Sequence, residues 1–378
     1  MKTPQSTSGS PGKIRRVAIC TGGGDAPGLN AVIRAAVISA MNRGWEMIGI
    51  RDGYGGILFP ERYQGQGTFL LTRDMVRGIT HLGGTILGTT NKGNPMCFPV
   101  RQPDGSIQEI DRTGEIVNYF GMHEIDALIS IGGDGSLTIS HALVKKGLRV
   151  VCVPKTIDND LDKTVATFGF DTAVTFATDC LDRLHSTAES HQRVMVVELM
   201  GRYAGWIALN AGIAGSAHAI LIPEIPYDLD KVAAKIIQRD SLGRHYTIVV
   251  VAEGAMPMDG HIRIKDEAIT GTAERLGGVG EQVAAKLKEL TGKDTRVVVL
   301  GHLLRGGSPT SADRLISLRF GAAAVRALDE GASGIMVALD PPTVRYVPIE
   351  EVAGHMRQVP LDCDTINTAR DLGINFGD

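Results

Sequence analysis

The chain has 378 residues, room for two or three domains, and 43% of them are apolar, enough for a sizeable core. The formal net charge is −3, so no global basic field exists to favour nucleic acid or an anionic membrane as partner. Five scattered cysteines without a C-x-x-C argue against a disulfide framework and fit a reducing cytosol, hence a cytoplasmic protein.

Residues 1–13 are polar, lack the apolar run of a signal peptide, and read as a flexible tail. Short apolar runs then alternate with helical patterns. RRVAIC (15–20) precedes a helical stretch over 29–43, and WEMIGI (45–50) follows. IDALIS (125–130), a helix over 136–146 and LRVVCV (148–153) make one βαβ unit. A helix over 171–188 leads to RVMVVEL (193–199). AILIP (219–223), YTIVVVA (246–252), TRVVVLG (295–301) and GIMVAL (334–339) complete the predicted strands. The runs are β-branched and apolar on both faces, as buried parallel strands are. The alternation predicts an α/β doubly wound architecture, with binding loops at the carboxyl ends of the strands. The apolar segment 204–223 carries Asn210, Ser216 and His218, and reads as a buried helix and strand rather than a membrane span. Cys20 and Cys152 lie in strand-like runs and read as small core residues.

Three glycine-rich or acidic segments fall at strand ends. TGGGDAPG (21–28) lets backbone approach an anion, and the following helix offers free N–H groups. It does not satisfy G-x-G-x-x-G, and no G-x-x-x-x-G-K-[ST] occurs. IGGDGS (131–136) places Asp134 among Gly132, Gly133 and Gly135, where a carboxylate can hold Mg²⁺ against phosphate oxygens or cap the next helix. PKTIDND (154–160) carries Asp158 and Asp160, which an extended loop would direct to opposite sides. One of them can act as general base, while Lys155 and Thr156 address phosphate oxygens. Arg193, Arg202, Arg296 and Arg305 recur near strand ends and offer planar forks for phosphate. Glu253 follows a strand and can accept sugar hydroxyls or cap a helix. Together these residues point to phosphoryl transfer.

TGGGDAPGLNAVIR, IGGDGS, PKTIDND, ESHQRVMVVELMGRYAG, VVAEG and TRVVVLGHLLRGGSP resemble, in order, the motifs of the phosphofructokinases, from about Ile14 to Ala322. The resemblance implies transfer of a phosphoryl group to the 1-hydroxyl of fructose 6-phosphate, a glycolytic reaction, with Mg²⁺ as cofactor. It implies two Rossmann-like lobes around a cleft, the larger taking 14–169 plus 304–350 and the smaller 170–303 plus 351–378. It makes Asp158 the base and Asp134 the metal carboxylate, with Asp160 as a second candidate for the metal or a contact to substrate. Gly24, Thr156 and Arg202 would steady the transferring group. Gly133, Gly135, Ser136 and Lys92 would line the nucleotide. Met200, Gly201, Glu253 and Arg305 would hold the sugar, and Arg193, Arg296 and His302 its 6-phosphate. Arg193 and Arg296 would come from a neighbouring subunit, which implies a homodimer or homotetramer.

The family has ATP-using and pyrophosphate-using branches. The pyrophosphate branch typically carries Asp at the position of Gly135 and Lys at that of Lys155, so this chain is mixed. An Asp at 135 would place like charge against the α-phosphate of ATP, and glycine removes that obstruction. ATP is therefore the expected donor, with pyrophosphate as the alternative. Asn91 stands where many bacterial ATP enzymes have arginine, beside Lys92. Arg34 matches a bacterial effector-site residue, but Ile38 and His218 do not, so a weak or absent response to ADP and phosphoenolpyruvate is expected. A nicotinamide dehydrogenase lacks its glycine fingerprint here, and a catalytically dead binding protein would not need Asp134, Asp158 and Arg202 together.

Overall fold

A computed structural model describes residues 14–260, 262, 264–266 and 275–378. The expected tail at 1–13 lies outside them. In chain order the chain forms β1 (Arg16–Thr21), α1 (Leu29–Met41), β2 (Glu46–Ile50), α2 (Gly55–Leu58), β3 (Thr68–Leu70), β4 (Phe98–Arg101) and β5 (Ile107–Ile110). Next come α3 (Thr113–Met122), β6 (Ala127–Gly132), α4 (Asp134–Lys145), β7 (Val150–Pro154), α5 (Phe170–Ser190) and β8 (Val194–Leu199). These are followed by α6 (Trp206–Ala214), β9 (Ala219–Leu221), α7 (Leu229–Ser241), β10 (Thr247–Ala252), β11 (Ile264–Asp266) and β12 (Arg275–Leu276). The chain ends with α8 (Val279–Thr291), β13 (Thr295–Val299), α9 (Ser311–Asp329), β14 (Ile335–Asp340), β15 (Thr343–Pro348) and α10 (Asp364–Asp371).

Two sheets organise the molecule. The first has the order β15-β14-β7-β6-β1-β2-β3, parallel from β14 to β2 and antiparallel at both edges. The second, β13-β8-β10-β9, is parallel throughout. The central strands of both are buried end to end, so alternate residues serve opposite faces. In β1, Val17 and Ile19 join the core under α1 and α9, while Ala18 and Cys20 join the core on the α4 side. In β10, Ile248 and Val250 face α6, while Val249 and Val251 face α7 and α8. Each sheet is thus the middle of three layers.

The segment 204–223 folds as α6 followed by β9, and no helix among the described residues is long and apolar enough to cross a membrane. Cys20 and Cys152 are buried, and burial pushes both thiols up to about 12, as inert core residues require.

Candidate active site

The carboxyl ends of both sheets face one cleft. From the first sheet come the loops after β1 (Gly22–Asp25), β6 (Gly133) and β7 (Lys155–Asp160). From the second come the turns after β8 (Met200–Arg202) and β10 (Glu253), and the short helix Gly301–Arg305 after β13. Crossover connections put every loop of one end on the same side, which is why residues distant in sequence meet there.

Asp158 sits at the centre and is 4% exposed. Its backbone N–H donates to Thr156 Oγ1 at 3.0 Å, and Thr156 Oγ1 lies 3.2 Å from Asp158 Oδ2. Arg305 Nη2 approaches Oδ2 at 4.0 Å. The other oxygen, Oδ1, is buried without a hydrogen-bond partner. An unpaired buried carboxylate oxygen is costly. A hydroxyl proton would satisfy it.

The loop carrying Asp158 is not extended, contrary to the reading from the two-residue spacing. Asn159 holds φ 54°, in the left-handed region, and its side chain accepts the Thr167 N–H at 3.1 Å. The turn brings Asp160 near Asp158. Burial, and then the charge of Asp158, push the Asp160 carboxyl up from the usual range.

The β1 loop is gripped from beneath. Lys155, 3% exposed, donates from Nζ to the Gly24 carbonyl at 2.5 Å. Arg305 Nη1 donates to the Asp25 carbonyl at 3.1 Å, and a Cβ on Gly24 would stand 2.9 Å from that nitrogen. A side chain at 24 would therefore displace the Arg305 guanidinium from its place over the loop. Gly23 N–H donates to the Thr90 carbonyl at 2.9 Å and Thr89 Oγ1 to the Gly23 carbonyl at 2.7 Å, which brings the loop with exposed Lys92 alongside.

Asp134 opens α4, with Gly133 at its N-cap and Ser136 in its first turn. Asp134 is exposed, and its Oδ1 accepts the Gly354 N–H at 2.7 Å. A Cβ on Gly135 would meet nothing within 4 Å. The space beside that backbone is open.

On the second sheet Glu253 Oε1 accepts the N–H groups of Arg202 at 3.0 Å and Gly201 at 3.4 Å. Both donors sit at positive φ, 52° for Arg202 and 150° for Gly201. This strained turn, which follows Met200 and carries Arg202, is held by the carboxylate. Burial is the main cause that pushes Glu253 up to about 7, and the charge of Asp158 adds to it. His302 is exposed on the helix Gly301–Arg305.

Arg193 and Arg296 are elsewhere. The sequence places them near strand ends, but Arg193 precedes β8 and Arg296 lies at the start of β13, the amino ends of their strands. Both pair with Asp294, at 3.3 Å and 2.9 Å. A strand of five or six residues, about 17–20 Å, separates them from the cleft of their own chain. The fold brings Gly24, Thr156, Asp158, Asp160, Met200, Arg202, Glu253 and Arg305 together and leaves these two arginines apart.

Sequence reasoning missed the grip of Lys155 on Gly24 and the role of Glu224, which accepts N–H groups from Gly205 at 3.0 Å and Val359 at 2.9 Å. Glu224 follows the AILIP run at a strand end, the one signal available for it.

Comparison with known proteins agrees with the geometry. The family model described as Phosphofructokinase matches residues 16–328. A protein of Chloroflexus aurantiacus named ATP-dependent 6-phosphofructokinase is 51% identical over 366 residues, covering 97% of this chain and 99% of the relative. ATP-dependent 6-phosphofructokinase 2 of Clostridium perfringens is 45% identical over 370 residues, with the same coverage of each. Among solved structures, phosphofructokinase from Saccharomyces cerevisiae superposes with TM-score 0.74 at 30% identity, covering 89% of this chain and 45% of that one, so this chain spans under half of the yeast subunit. A pyrophosphate-dependent phosphofructokinase from Nitrosospira multiformis superposes with TM-score 0.77 at 21% identity over 97% of this chain and 93% of that one, which is a likeness of fold. The α/β fold, the ordered motifs and these matches together establish that the chain belongs to the phosphofructokinase family.

Proposed function

We propose that this chain transfers the γ-phosphoryl group of ATP to the 1-hydroxyl of fructose 6-phosphate, giving fructose 1,6-bisphosphate, a step of glycolysis. The observation that carries the reading is Asp158 Oδ1, buried and unpartnered where the two sheets face each other. Its relatives of 45% and 51% identity, named as ATP-dependent, support ATP over pyrophosphate.

In this reading the sugar lies on the second sheet against Met200, Gly201, Glu253 and Arg305, and its 1-hydroxyl gives its proton to Asp158. Thr156, Arg202 and the Gly24 N–H steady the equatorial oxygens of the moving group, where charge develops. Gly133, Gly135, Ser136 and Lys92 receive the nucleotide. A divalent cation, taken here as Mg²⁺, would supply charge neutralisation on the phosphates. Asp134 suits it, because Oδ2 has no hydrogen bond among the described residues, and Mg²⁺ favours one or two carboxylates together with phosphate oxygens.

In this reading 14–169 plus 304–350, which hold the strands of the first sheet, form the nucleotide lobe, and 170–303 plus 351–378, which hold those of the second, form the sugar-phosphate lobe. His302 with the Arg193 and Arg296 of a neighbouring subunit would bind the 6-phosphate. The position of both arginines at the far end of their sheet supports a site completed by a second copy, in a homodimer or homotetramer. A cytoplasmic location fits substrates of this kind.

Asp158→Asn is the direct test. It should lower kcat by about 10²–10⁴-fold, the usual worth of a general base, while calorimetry still detects fructose 6-phosphate binding. Near-normal turnover would remove Asp158 from that role.

A further inference from the structure

Residues 354–359 belong to none of the motifs above, yet they cross the whole cleft. Gly354 donates its N–H to Asp134 Oδ1 at 2.7 Å. Met356 pairs with Leu161 in a single antiparallel bridge. Val359 N–H reaches Glu224 Oε1 at 2.9 Å, and the same carboxylate oxygen takes the Gly205 N–H at 3.0 Å. One short segment thus touches the start of α4, the loop of Asp158 and the turn beyond Arg202.

Arg357 stands at its middle and makes most of the connections. Its backbone N–H donates to the Asp160 carbonyl at 2.8 Å. Its Nη1 donates to the carbonyls of Thr164 and Val165, each at 2.8 Å. Its own carbonyl accepts Trp206 Nε1–H at 3.1 Å, and its guanidinium lies 4.4 Å above the Trp206 ring. The three carbonyls belong to the stretch that follows Asp158. Trp206 opens α6, four residues past Arg202.

We propose that Arg357 is a positioning residue for phosphoryl transfer, fixing the Asp158 loop of one sheet against the Arg202 turn of the other; this rests on the function proposed above. The base and the sugar-holding groups stand on different sheets, so their spacing is set by non-covalent contacts. Arg305 meets Asp158 only at 4.0 Å, whereas every hydrogen bond of Arg357 is 3.1 Å or shorter. A planar guanidinium can bond two adjacent carbonyls and stack on an indole at once, and an ammonium cannot do both. A misplacement of 1 Å at the reacting atoms is worth about a hundredfold in rate.

The test uses Arg357→Met and Arg357→Lys in a Trp45→Phe background, where Trp206 is the one tryptophan left of two. Arg357→Met should stay folded by circular dichroism and lose about ten- to a hundredfold in kcat, with KM for ATP changed by less than about threefold. Arg357→Lys should recover only part of the loss. Fructose 6-phosphate should shift Trp206 emission in the parent and much less in Arg357→Met, although calorimetry still detects the sugar. Turnover within about twofold of the parent, or a loss equal to the unfolded fraction, would overturn the proposal. So would an unchanged Trp206 response. If the parent itself fails to phosphorylate fructose 6-phosphate with ATP, the functional reading has failed, and Arg357 is judged by amide exchange instead. Faster exchange over 158–165 and 201–206 in Arg357→Met would then support the positioning role, and unchanged exchange would refute it.

Discussion

Lys155 Nζ donates to the Gly24 carbonyl at 2.5 Å, so a buried cation holds the loop expected to meet the transferring phosphoryl group. Arg305 holds the next carbonyl, that of Asp25. Two successive carbonyls of that loop are thus fixed by side chains from the loop after β7 and from the helix Gly301–Arg305.

Burial first, and then the charge of Arg305, bring Lys155 down to about 8 from its ordinary 10.5. Activity should therefore decline as pH rises through about 8, when the ammonium is lost. Lys155→Met should lower kcat by about tenfold at pH 7 and abolish that alkaline limb. Stability should move the other way. Between 8 and 10.5 the folded chain binds fewer protons than the unfolded one, so stability rises with pH across this window. Thermal melts of both proteins from pH 7.5 to 10 check the sign, and the variant should lack this contribution.

Glu253 carries the opposite dependence. Its folded value of about 7 lies above the ordinary 4.5, so between them the folded chain binds more protons. Its contribution to stability falls as pH rises from 4.5 to 7. Urea midpoints at the two ends of that window should differ more for the parent than for Glu253→Gln. Equal differences would mean that the carboxyl titrates normally.

The open space beside Gly135 is where donor choice should be set. Gly135→Asp would put a carboxylate there and raise KM for ATP by about ten- to a hundredfold, the equivalent of roughly 1.4–2.8 kcal/mol of charge repulsion in a partly desolvated site. Pyrophosphate, which has no nucleoside to accommodate, should suffer less. Steady-state kinetics with each donor would decide, and equal penalties would show that 135 does not discriminate.

Much of the fold is readable from the chain. Val150–Pro154, Val194–Leu199 and Thr247–Ala252 are apolar on both faces because helices cover both, and that pattern marks parallel strands. The antiparallel edges Thr68–Leu70 and Thr343–Pro348 escape it, since the first is only three residues long and the second alternates exposed and partly covered positions. Asp158, Glu253 and Arg202 are legible because they follow strands. Arg357 is not, because its partners are backbone carbonyls at 160, 164 and 165, which leave no trace in side-chain types. The turn at Asn159 is hidden for a related reason: its positive φ is stabilised by a bond to Thr167, eight residues away.

The central claim is that a nucleoside triphosphate and fructose 6-phosphate meet over Asp158. Purified enzyme should be given fructose 6-phosphate and Mg²⁺ with ATP in one reaction and pyrophosphate in another, with fructose 1,6-bisphosphate measured directly. Rapid product formation with ATP and little with pyrophosphate is the predicted result. Turnover confined to pyrophosphate, or none with either donor, would contradict it.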